Sequence, residues 1–245
     1  MNNNNNNNSS SLNNFSREEY CKQQPYKIVV LLGPPGAGKT THTQMLFEEF
    51  CYCVFSTGNI IRNEIAKKTE LGLKVKEVVD KGELISNEIA YKLLKVRSVI
   101  SSEACKYGMI MDGFPRTTQH ADYLKEELGK ESKAVDLIIN YKIDFNTLYD
   151  RIGNRSIHSS SGRVYNSKHN PPKTPGIDDI TGEPLIKRND DIKENVLKRY
   201  NIFLEETKNL IQYPEYINKV YDIDATGSIQ QNFSHIKNII RNKKI

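Results

Sequence analysis

One short stretch limits the possible folds of this chain more than any other. Residues 33–40 read Gly-Pro-Pro-Gly-Ala-Gly-Lys-Thr, between the apolar run Ile28–Leu32 and an amphipathic segment at 41–50. The spacing matches G-x-x-x-x-G-K-[ST], in which glycines let backbone N–H groups converge and the next helix directs its positive end at the same point. It therefore predicts a strand, a phosphate-binding turn and a helix, with Lys39 on the phosphate and Thr40 or Thr41 near Mg²⁺.

Composition sets broad limits on the class of protein. The chain has 245 residues, enough for one large domain with a small insertion. Its formal net charge is +5, without a dense run of Lys and Arg, so we expect no nucleic-acid partner. No apolar run approaches the ~20 residues of a membrane span, so we expect no membrane partner either.

The cysteines bear on the compartment. Cys21, Cys51, Cys53 and Cys105 form no Cys-x-x-Cys pair and no metal-binding spacing. Free thiols in a reducing compartment are the simplest interpretation. Since signal-peptide and transit-peptide patterns are also missing, the sequence predicts a cytoplasmic protein, with the mitochondrion or another organelle left open. We also expect a monomer.

The chain divides into a tail and a folded part. Residues 2–14 are almost pure Asn, so residues 1–25 are predicted to be a disordered tail. From residue 26 onward, apolar strands alternate with helical patterns, which indicates a parallel sheet covered on both faces. After the first strand and helix, strands are predicted at 52–55, 108–111, 135–141 and 220–223, and helices at 60–66, 71–80, 88–101, 117–128, 145–155, 189–212 and 228–243. Residues 157–187 are rich in Ser, Gly and Pro and predict a polar insertion, for which a disordered surface loop is the alternative.

An acidic residue ends one predicted strand. Residues 109–117 read Met-Ile-Met-Asp-Gly-Phe-Pro-Arg-Thr. This order places Asp112 at the carboxyl edge of the sheet, where it could order the water shell of Mg²⁺. Arg116 carries a planar, permanent charge suited to a phosphate. Alone, Asp112 could be an ordinary residue at a strand end, but the glycine-rich turn upstream favours the functional interpretation.

Several arginines surround the polar insertion. Arg151 and Arg155 lie four residues apart on one predicted helix, so they would share a face and favour an anion between them. Arg62 projects away from the apolar stripe of its own predicted helix, as a surface arginine would also do. The other arginines at the insertion are Arg163, Arg188 and Arg199. An insertion hinged between such cations could close around a phosphoryl group and exclude water.

Together these motifs resemble the adenylate kinases of the long-lid type, within the nucleoside monophosphate kinases, from about residue 27 to the carboxyl terminus. Besides residues 33–39, the matching motifs are Thr-Gly-x-x-x-Arg at 57–62, Gly-Glu-Leu-Ile at 82–85, Asp-Gly-Phe-Pro-Arg-Thr at 112–117, Asp-Arg-Ile at 150–152, Ser-Gly-Arg-Val-Tyr at 161–165, Asn-Pro-Pro at 170–172, Asp-Asp-x-Thr-Gly at 178–182 and Arg-x-Asp-Asp at 188–191, with Arg155 and Arg199. The resemblance implies a P-loop three-layer α/β/α fold with a central parallel sheet. It divides residues 26–245 into a core (26–56, 86–156 and 189–245), a helical AMP-binding insertion (57–85) and a lid (157–188).

The resemblance also implies an activity, which is reversible transfer of a phosphoryl group from MgATP to AMP, giving two ADP without a covalent intermediate. ATP would be held by Gly36, Ala37, Gly38, Lys39, Thr40, Thr41, Arg151, Val164, Tyr165 and Gly227. AMP would be held by Thr57, Arg62, Glu83, Leu84, Ile85, Gly113, Phe114, Pro115, Arg116, His120, Arg188 and Arg199. Lys39, Arg116, Arg155, Arg188 and Arg199 would surround the transferring group, and Asp112 would hold Mg²⁺ through water.

Three departures from the family pattern matter. Where the family has a Gln that contacts the AMP base, this chain has His120, preceded by Gln119, and the sequence leaves open which of them makes the contact. Asn59 replaces an Asp that is common near the Mg²⁺ site. Zinc-containing relatives have mostly cysteines at four lid positions, which here are His158, Ser161, Asp178 and Thr181. Since Ser and Thr are poor zinc ligands, we expect a hydrogen-bonded lid without zinc.

Other functions remain possible at this stage. A GTP:AMP phosphotransferase would share the phosphate site and differ in the donor base. A P-loop GTPase switch is disfavoured, because Asn218-Lys219 continues as Val220-Tyr221 and gives no Asn-Lys-x-Asp motif. A nucleic-acid-dependent ATPase lacks the expected surface of interleaved basic and aromatic residues.

Overall fold

The computed structural model of the chain describes residues 16–97, 99–188 and 190–242. At its centre is a parallel sheet whose strands are β1 (Ile28–Leu32), β2 (Cys53–Ser56), β3 (Met109–Asp112), β4 (Leu137–Lys142) and β7 (Val220–Asp224). In the described part of the chain, their order in this sheet is β2-β3-β1-β4-β7, with every neighbouring pair parallel. The α/β fold predicted from the alternating pattern is confirmed.

Helices cover both faces of the sheet. One face packs against α2 (Lys39–Phe50), α7 (Phe145–Gly153) and α9 (Ile229–Asn242). The other packs against α5 (Asn87–Arg97), α6 (Thr118–Gly129) and the carboxyl end of α8 (Lys193–Leu210). Among the described residues, no helix combines the length and the apolar character that crossing a membrane requires.

The central strand shows why its sequence is apolar throughout. Ile28, Val30 and Leu32 belong to the hydrophobic cluster on one face of the sheet, and Val29 and Leu31 belong to the cluster on the other. All five side chains are buried. Because successive side chains of a strand point to opposite faces, only a sheet covered on both sides needs such a run.

The helical insertion, residues 57–85, contains α3 (Thr57–Ala66) and α4 (Glu70–Asp80). Ile61 and Val75 are buried between them. A Cβ atom on Gly72 would lie 2.1 Å from the backbone oxygen of Glu64, so only glycine allows these helices to approach this closely.

The segment predicted to be a lid, residues 157–188, contains β6 (Val164–Asn166), which pairs antiparallel with β5 (Arg155–Ile157) at the start of the segment. Asp178 accepts hydrogen bonds from Tyr165 Oη at 2.9 Å and Thr181 Oγ1 at 2.9 Å, and its two oxygens accept from Nε and Nη2 of Arg163 at 2.8 Å and 2.6 Å. His158 Nδ1 lies 2.7 Å from Ser161 Oγ. The four lid positions therefore take part in the expected hydrogen-bonded network, while the prediction of a lid without zinc stays a prediction.

Two predictions at the amino-terminal end are wrong. The tail does not extend to residue 25, because α1 (Arg17–Lys22) forms a helix with a capping box between Ser16 and Glu19. The cysteines are not free thiols. Disulfides join Cys21 to Cys51, which fastens α1 to the core, and Cys53 to Cys105. The remainder of the predicted Asn-rich tail lies outside the described residues.

A third correction concerns the end of α7. Arg151 and Arg155 were predicted on one helix, but α7 ends at Gly153 and Arg155 begins β5. The two arginines therefore do not share a helical face. The predicted helix at 88–101 is also shorter, since α5 ends at Arg97 and Val99–Ser101 forms a 3₁₀ turn.

Candidate active site

A cavity of 1370 Å³ opens at the carboxyl ends of the sheet strands. Gly33 follows β1, Thr57 follows β2, Gly113 follows β3 and Ala225 follows β7, and all four line it. Ligands of open α/β sheets bind at this edge. The volume exceeds the ~300–1,000 Å³ of an ordinary single-ligand pocket, so it can hold two sizeable ligands.

The glycine-rich turn forms one end of the cavity. Gly38 has a φ of 96° and precedes α2 without any side-chain cap, so the first backbone N–H groups of α2 are left for a ligand. Gly36 shares this φ, and a Cβ there would lie 2.7 Å from Cγ1 of Ile152. The turn therefore requires glycine at both positions, as the motif predicts.

Lys39 is buried beside other cations, which disfavours its charged form. Its Nζ donates hydrogen bonds to the backbone oxygens of Gly33 at 2.6 Å and Pro34 at 3.0 Å. Burial, with the charges of Arg116, Arg155 and Arg188 adding to it, lowers the pKa of Lys39 to about 8, although Asp112 opposes the shift. An anion beside Nζ would remove most of this penalty.

Arginines line the same cavity, and only some of them have carboxylate partners. Arg155 Nε donates to Asp191 at 3.0 Å, and Arg199 is paired with Asp190. Arg163 is paired with Asp178 in the lid. In the described part of the chain, no carboxylate forms an ion pair with the other lining cations, which are Lys39, Arg62, Arg116, Arg151 and Arg188. The cavity thus contains a local excess of positive charge.

The pKa values reflect this excess. Burial, and then the nearby charges of Arg155 and Arg62, lower the pKa of Arg188 to about 9. Burial is also the main reason that the pKa of Arg62 falls to about 10. The buried Nε of Arg188 has no hydrogen-bond partner in the described structure. Such a set of cations is unfavourable without a ligand and favours a polyanion.

All residues predicted for the site line this one cavity. Those predicted to hold ATP are Gly36, Ala37, Gly38, Lys39, Thr40, Thr41, Arg151, Val164, Tyr165 and Gly227. Those predicted to hold AMP are Thr57, Arg62, Glu83, Leu84, Ile85, Gly113, Phe114, Pro115, Arg116 and His120, and Arg155, Arg188, Arg199 and Asp112 line the cavity as well. The structure therefore brings together residues that are up to 191 positions apart in sequence, from Gly36 to Gly227.

Comparison with known proteins identifies the family. A family model described as adenylate kinase matches residues 31–219. Adenylate kinase 4 of Oryza sativa subsp. japonica is 43% identical over 202 residues, covering 82% of each chain. Adenylate kinase 4 of Arabidopsis thaliana is 39% identical over 226 residues, covering 92% of this chain and 91% of its own. An adenylate kinase of Kluyveromyces lactis is 41% identical over 185 residues, covering 76% and 81%.

This chain belongs to the adenylate kinase family. It is a nucleoside monophosphate kinase, and its reaction is reversible phosphoryl transfer between ATP and AMP. The activity expected from the sequence is confirmed, and neither a GTP donor nor a GTPase switch is needed to explain the motifs.

Within this adenylate kinase fold, the structure separates the two candidates for the acceptor base. His120 is buried and lines the cavity, whereas Gln119 is exposed and does not. The Gln119 side chain accepts a hydrogen bond only from its neighbour Thr118, at 3.4 Å, among the contacts described. Helix α6 therefore presents the histidine to the cavity.

Sequence reasoning missed two groups of contacts. Asp190 and Asp191 hold Arg199 and Arg155, and their place in the run Arg-x-Asp-Asp at 188–191 is the signal that could have located them. Asn59 Oδ1 accepts a hydrogen bond from Arg62 Nη2 at 2.5 Å and lies within 3.1 Å of where a Cβ on Gly162 would stand. The helical insertion and the lid therefore touch across the cavity, which no local pattern indicates.

Proposed function

We propose that this kinase transfers the phosphoryl group in one direct step. An oxygen of the AMP phosphate attacks the γ-phosphorus of ATP in line, the bond from that phosphorus to the β,γ-bridging oxygen breaks, and two ADP result. The observation that supports this proposal is the cluster of cations without carboxylate partners between the two sides of the cavity. In such a site catalysis is alignment plus neutralisation of charge, with no covalent intermediate.

The two ends of the cavity suit different nucleotides. We assign ATP to residues 36–41 with Arg151, Val164, Tyr165 and Gly227, because the N-terminus of α2 is an anion site. We assign AMP to the wall formed by Thr57, Arg62, residues 83–85, residues 113–116 and His120. Lys39, Arg116, Arg155, Arg188 and Arg199 would then meet the phosphoryl group in transit.

The residues beside Lys39 fit a magnesium ion bound with ATP. The hydroxyl groups of Thr40 and Ser56 lie 3.4 Å and 3.5 Å from Oδ2 of Asp112. Oxygen groups of this kind suit Mg²⁺, which usually retains several water molecules. Asp112 would hold the ion through water, and Mg²⁺ would neutralise charge on the β- and γ-phosphates. The zinc-free lid belongs to the same proposal.

The monomeric state, the cytoplasmic location and the lack of nucleic-acid or membrane partners remain predictions. Because all four cysteines are paired in disulfides, free thiols no longer support a reducing compartment. Sedimentation analysis and imaging of the tagged full-length chain test state and location.

A coupled assay tests the proposed reaction. Wild-type protein with AMP, ATP and Mg²⁺ should form ADP, and Lys39→Ala should lower the rate by orders of magnitude. Lys92→Ala is the matched control, because Lys92 is exposed and paired with Glu88 on α5. A wild-type rate no higher than that of Lys39→Ala would refute the proposal, as would activity that depends on GTP.

A further inference from the structure

His120 is a buried side chain in a fixed position on the acceptor wall. It is 3% exposed, and its ring lies nearly parallel to that of Phe114, with centroids 4.8 Å apart and an interplanar angle of 22°. The ring of Tyr91 meets it edge-on, with centroids 6.1 Å apart. Because Phe114 also lines the cavity, the imidazole is part of a preformed aromatic wall.

The hydrogen bonds of His120 determine which nitrogen carries its proton. Its Nδ1 lies 3.3 Å from the backbone nitrogen of Arg116. A backbone N–H can only donate, so Nδ1 accepts and has no proton. Burial, and then the charge of Arg116, lower the pKa of His120 to about 4, so the ring is neutral near pH 7. A neutral imidazole has a single N–H, which must therefore be at Nε2.

This N–H has no partner. Nε2 of His120 is buried, and no acceptor among the described residues binds it. A buried donor without an acceptor is unfavourable, and native proteins rarely retain one without a reason. The acceptor that is missing from the protein is the kind of group that a ligand in the cavity can supply.

We propose that Nε2–H of His120 donates a hydrogen bond to N1 of the acceptor adenine and so selects the acceptor base. The proposal rests on the proposed function, which assigns the AMP nucleotide to this wall. With the AMP phosphate at the arginines, the base atoms farthest from it are N1, C6 and the 6-amino group. Of these only N1 is an acceptor without a hydrogen, and a base that carries a hydrogen at N1 would place donor against donor.

His120 would recognise only one of the two hydrogen-bonding groups on this edge of the adenine. The histidine has one donor for the ligand, since its Nδ1 is occupied by the backbone of Arg116. A side-chain amide at the same place would offer both a donor and an acceptor. His120 therefore detects N1 and leaves the 6-amino group to other contacts.

The test compares base analogues that differ by one ring atom. The kcat/KM for AMP, 1-deaza-AMP and 7-deaza-AMP is measured with wild-type protein and with His120→Phe, which keeps an aromatic ring but has no N–H. Wild type should lose about tenfold with 1-deaza-AMP and little with 7-deaza-AMP, because only the former removes the acceptor. His120→Phe should use AMP and 1-deaza-AMP equally well.

Further variants keep the test decisive. His120→Gln, which retains a donor, should still discriminate against 1-deaza-AMP, and Gln119→Ala should behave as wild type. Binding of a fluorescent ATP analogue shows whether each variant is folded. If His120→Phe is not folded, the wild-type protein still provides a test, because equal kcat/KM for AMP and 1-deaza-AMP would overturn the inference. A tenfold preference that persists in folded His120→Phe, or a loss seen with 7-deaza-AMP instead, also overturns it. If wild type does not use AMP at all, the proposed function itself fails, which is a separate result.

Discussion

A bound triphosphate would change both the hydrogen bonds and the pKa of Lys39. It donates to the backbone oxygens of Gly33 and Pro34, and it retains its proton less readily than an ordinary lysine. Phosphate oxygens near Nζ would favour the charged form. Binding of ATP and protonation of Lys39 are therefore coupled.

This coupling predicts uptake of protons on binding. Since the pKa of Lys39 is about 8 without ligand and higher with it, the protein should take up about half a proton per ATP analogue at pH 8. Affinity should fall as pH rises above 8. Calorimetry in two buffers with different ionisation enthalpies measures the uptake, and Lys39→Met gives the background from the ligand. Equal uptake by wild type and variant would contradict the role of Lys39.

Arg116 is predicted to act on the acceptor and on the transferring group. Its Nε donates to the backbone oxygen of Gly113 at 3.0 Å, on the wall assigned to AMP. Arg116→Ala should leave affinity for an ATP analogue nearly unchanged and lower kcat by orders of magnitude, because the charge is needed in the transition state. Arg241→Ala, an exposed arginine paired with Glu49, is the control. Unchanged turnover in Arg116→Ala would exclude the role.

For single residues, the sequence predicted which cations line the site better than it predicted the carboxylates that pair with them. The motifs placed Lys39, Arg62 and Arg116 in the site because each stands at a fixed spacing from a strand end or a glycine. The pairing of Arg155 with Asp191 depends on how β5 meets the chain that precedes α8, and no spacing encodes that approach. The orphan nitrogen of His120 likewise depends on the backbone of Arg116, so only the structure reveals it.

Among the elements, the lid depends on one buried carboxylate. Hydrogen bonds from Arg163, and others from Thr181 and Tyr165, hold the pKa of Asp178 well below its ordinary value. These bonds join Arg163 and strand β6, which contains Tyr165, to the turn at 178–182. Loss of the charge should loosen the lid while leaving the sheet and its two hydrophobic clusters in place.

We therefore expect Asp178→Asn to be cleaved within residues 157–188 by a protease roughly tenfold faster than wild type, since breaking a buried charge pair is costly. The KM for ATP should rise, because residues 164 and 165 of the lid are assigned to ATP in the proposed function. Asp179→Asn, at the exposed neighbouring position, is the matched control. Equal cleavage of Asp178→Asn and wild type would show that the network does not hold the lid closed.

The disulfides give a prediction about α1 and β2. In denaturant without reductant the purified protein should show no reactive thiol, and after reduction it should show all four. Cys21→Ser should lower the free energy of unfolding by about 3 kcal/mol, from loop-closure entropy across 30 residues. Thiol titration and urea unfolding measure these quantities. Four reactive thiols without reductant would show that the cysteines are free and that the disulfides do not form.

The elements also show where local patterns stop being informative. Strands and helices with clear apolar periodicity were predicted within a few residues. Helix α7 ends at Gly153 because the chain turns into the lid pair there, and the Arg151–Arg155 spacing alone resembles a continuing helix. Helix α1 and the cysteine pairs were missed because tertiary contacts, such as Tyr20 Oη donating to the backbone of Glu49 at 2.9 Å, position them.

For the whole molecule, the arrangement of the cavity determines the chemistry. The sheet edge fixes the phosphate-binding turn and the acceptor wall, and the helical insertion and lid meet above them at Asn59 and Gly162. Two nucleotides bound from opposite ends would direct their phosphates at the same unpaired cations. Exclusion of water by the closing lid would then favour transfer to AMP over hydrolysis.

The most direct test of this account is a calorimetric titration with an analogue that joins two adenosines through a chain of phosphates. The account predicts that one analogue binds per chain. It also predicts that the bound analogue prevents binding of both AMP and a non-hydrolysable ATP analogue, each of which binds the free protein at one site. If either nucleotide still bound its site with the analogue in place, the two nucleotides would not meet in one cavity, and the account would be contradicted.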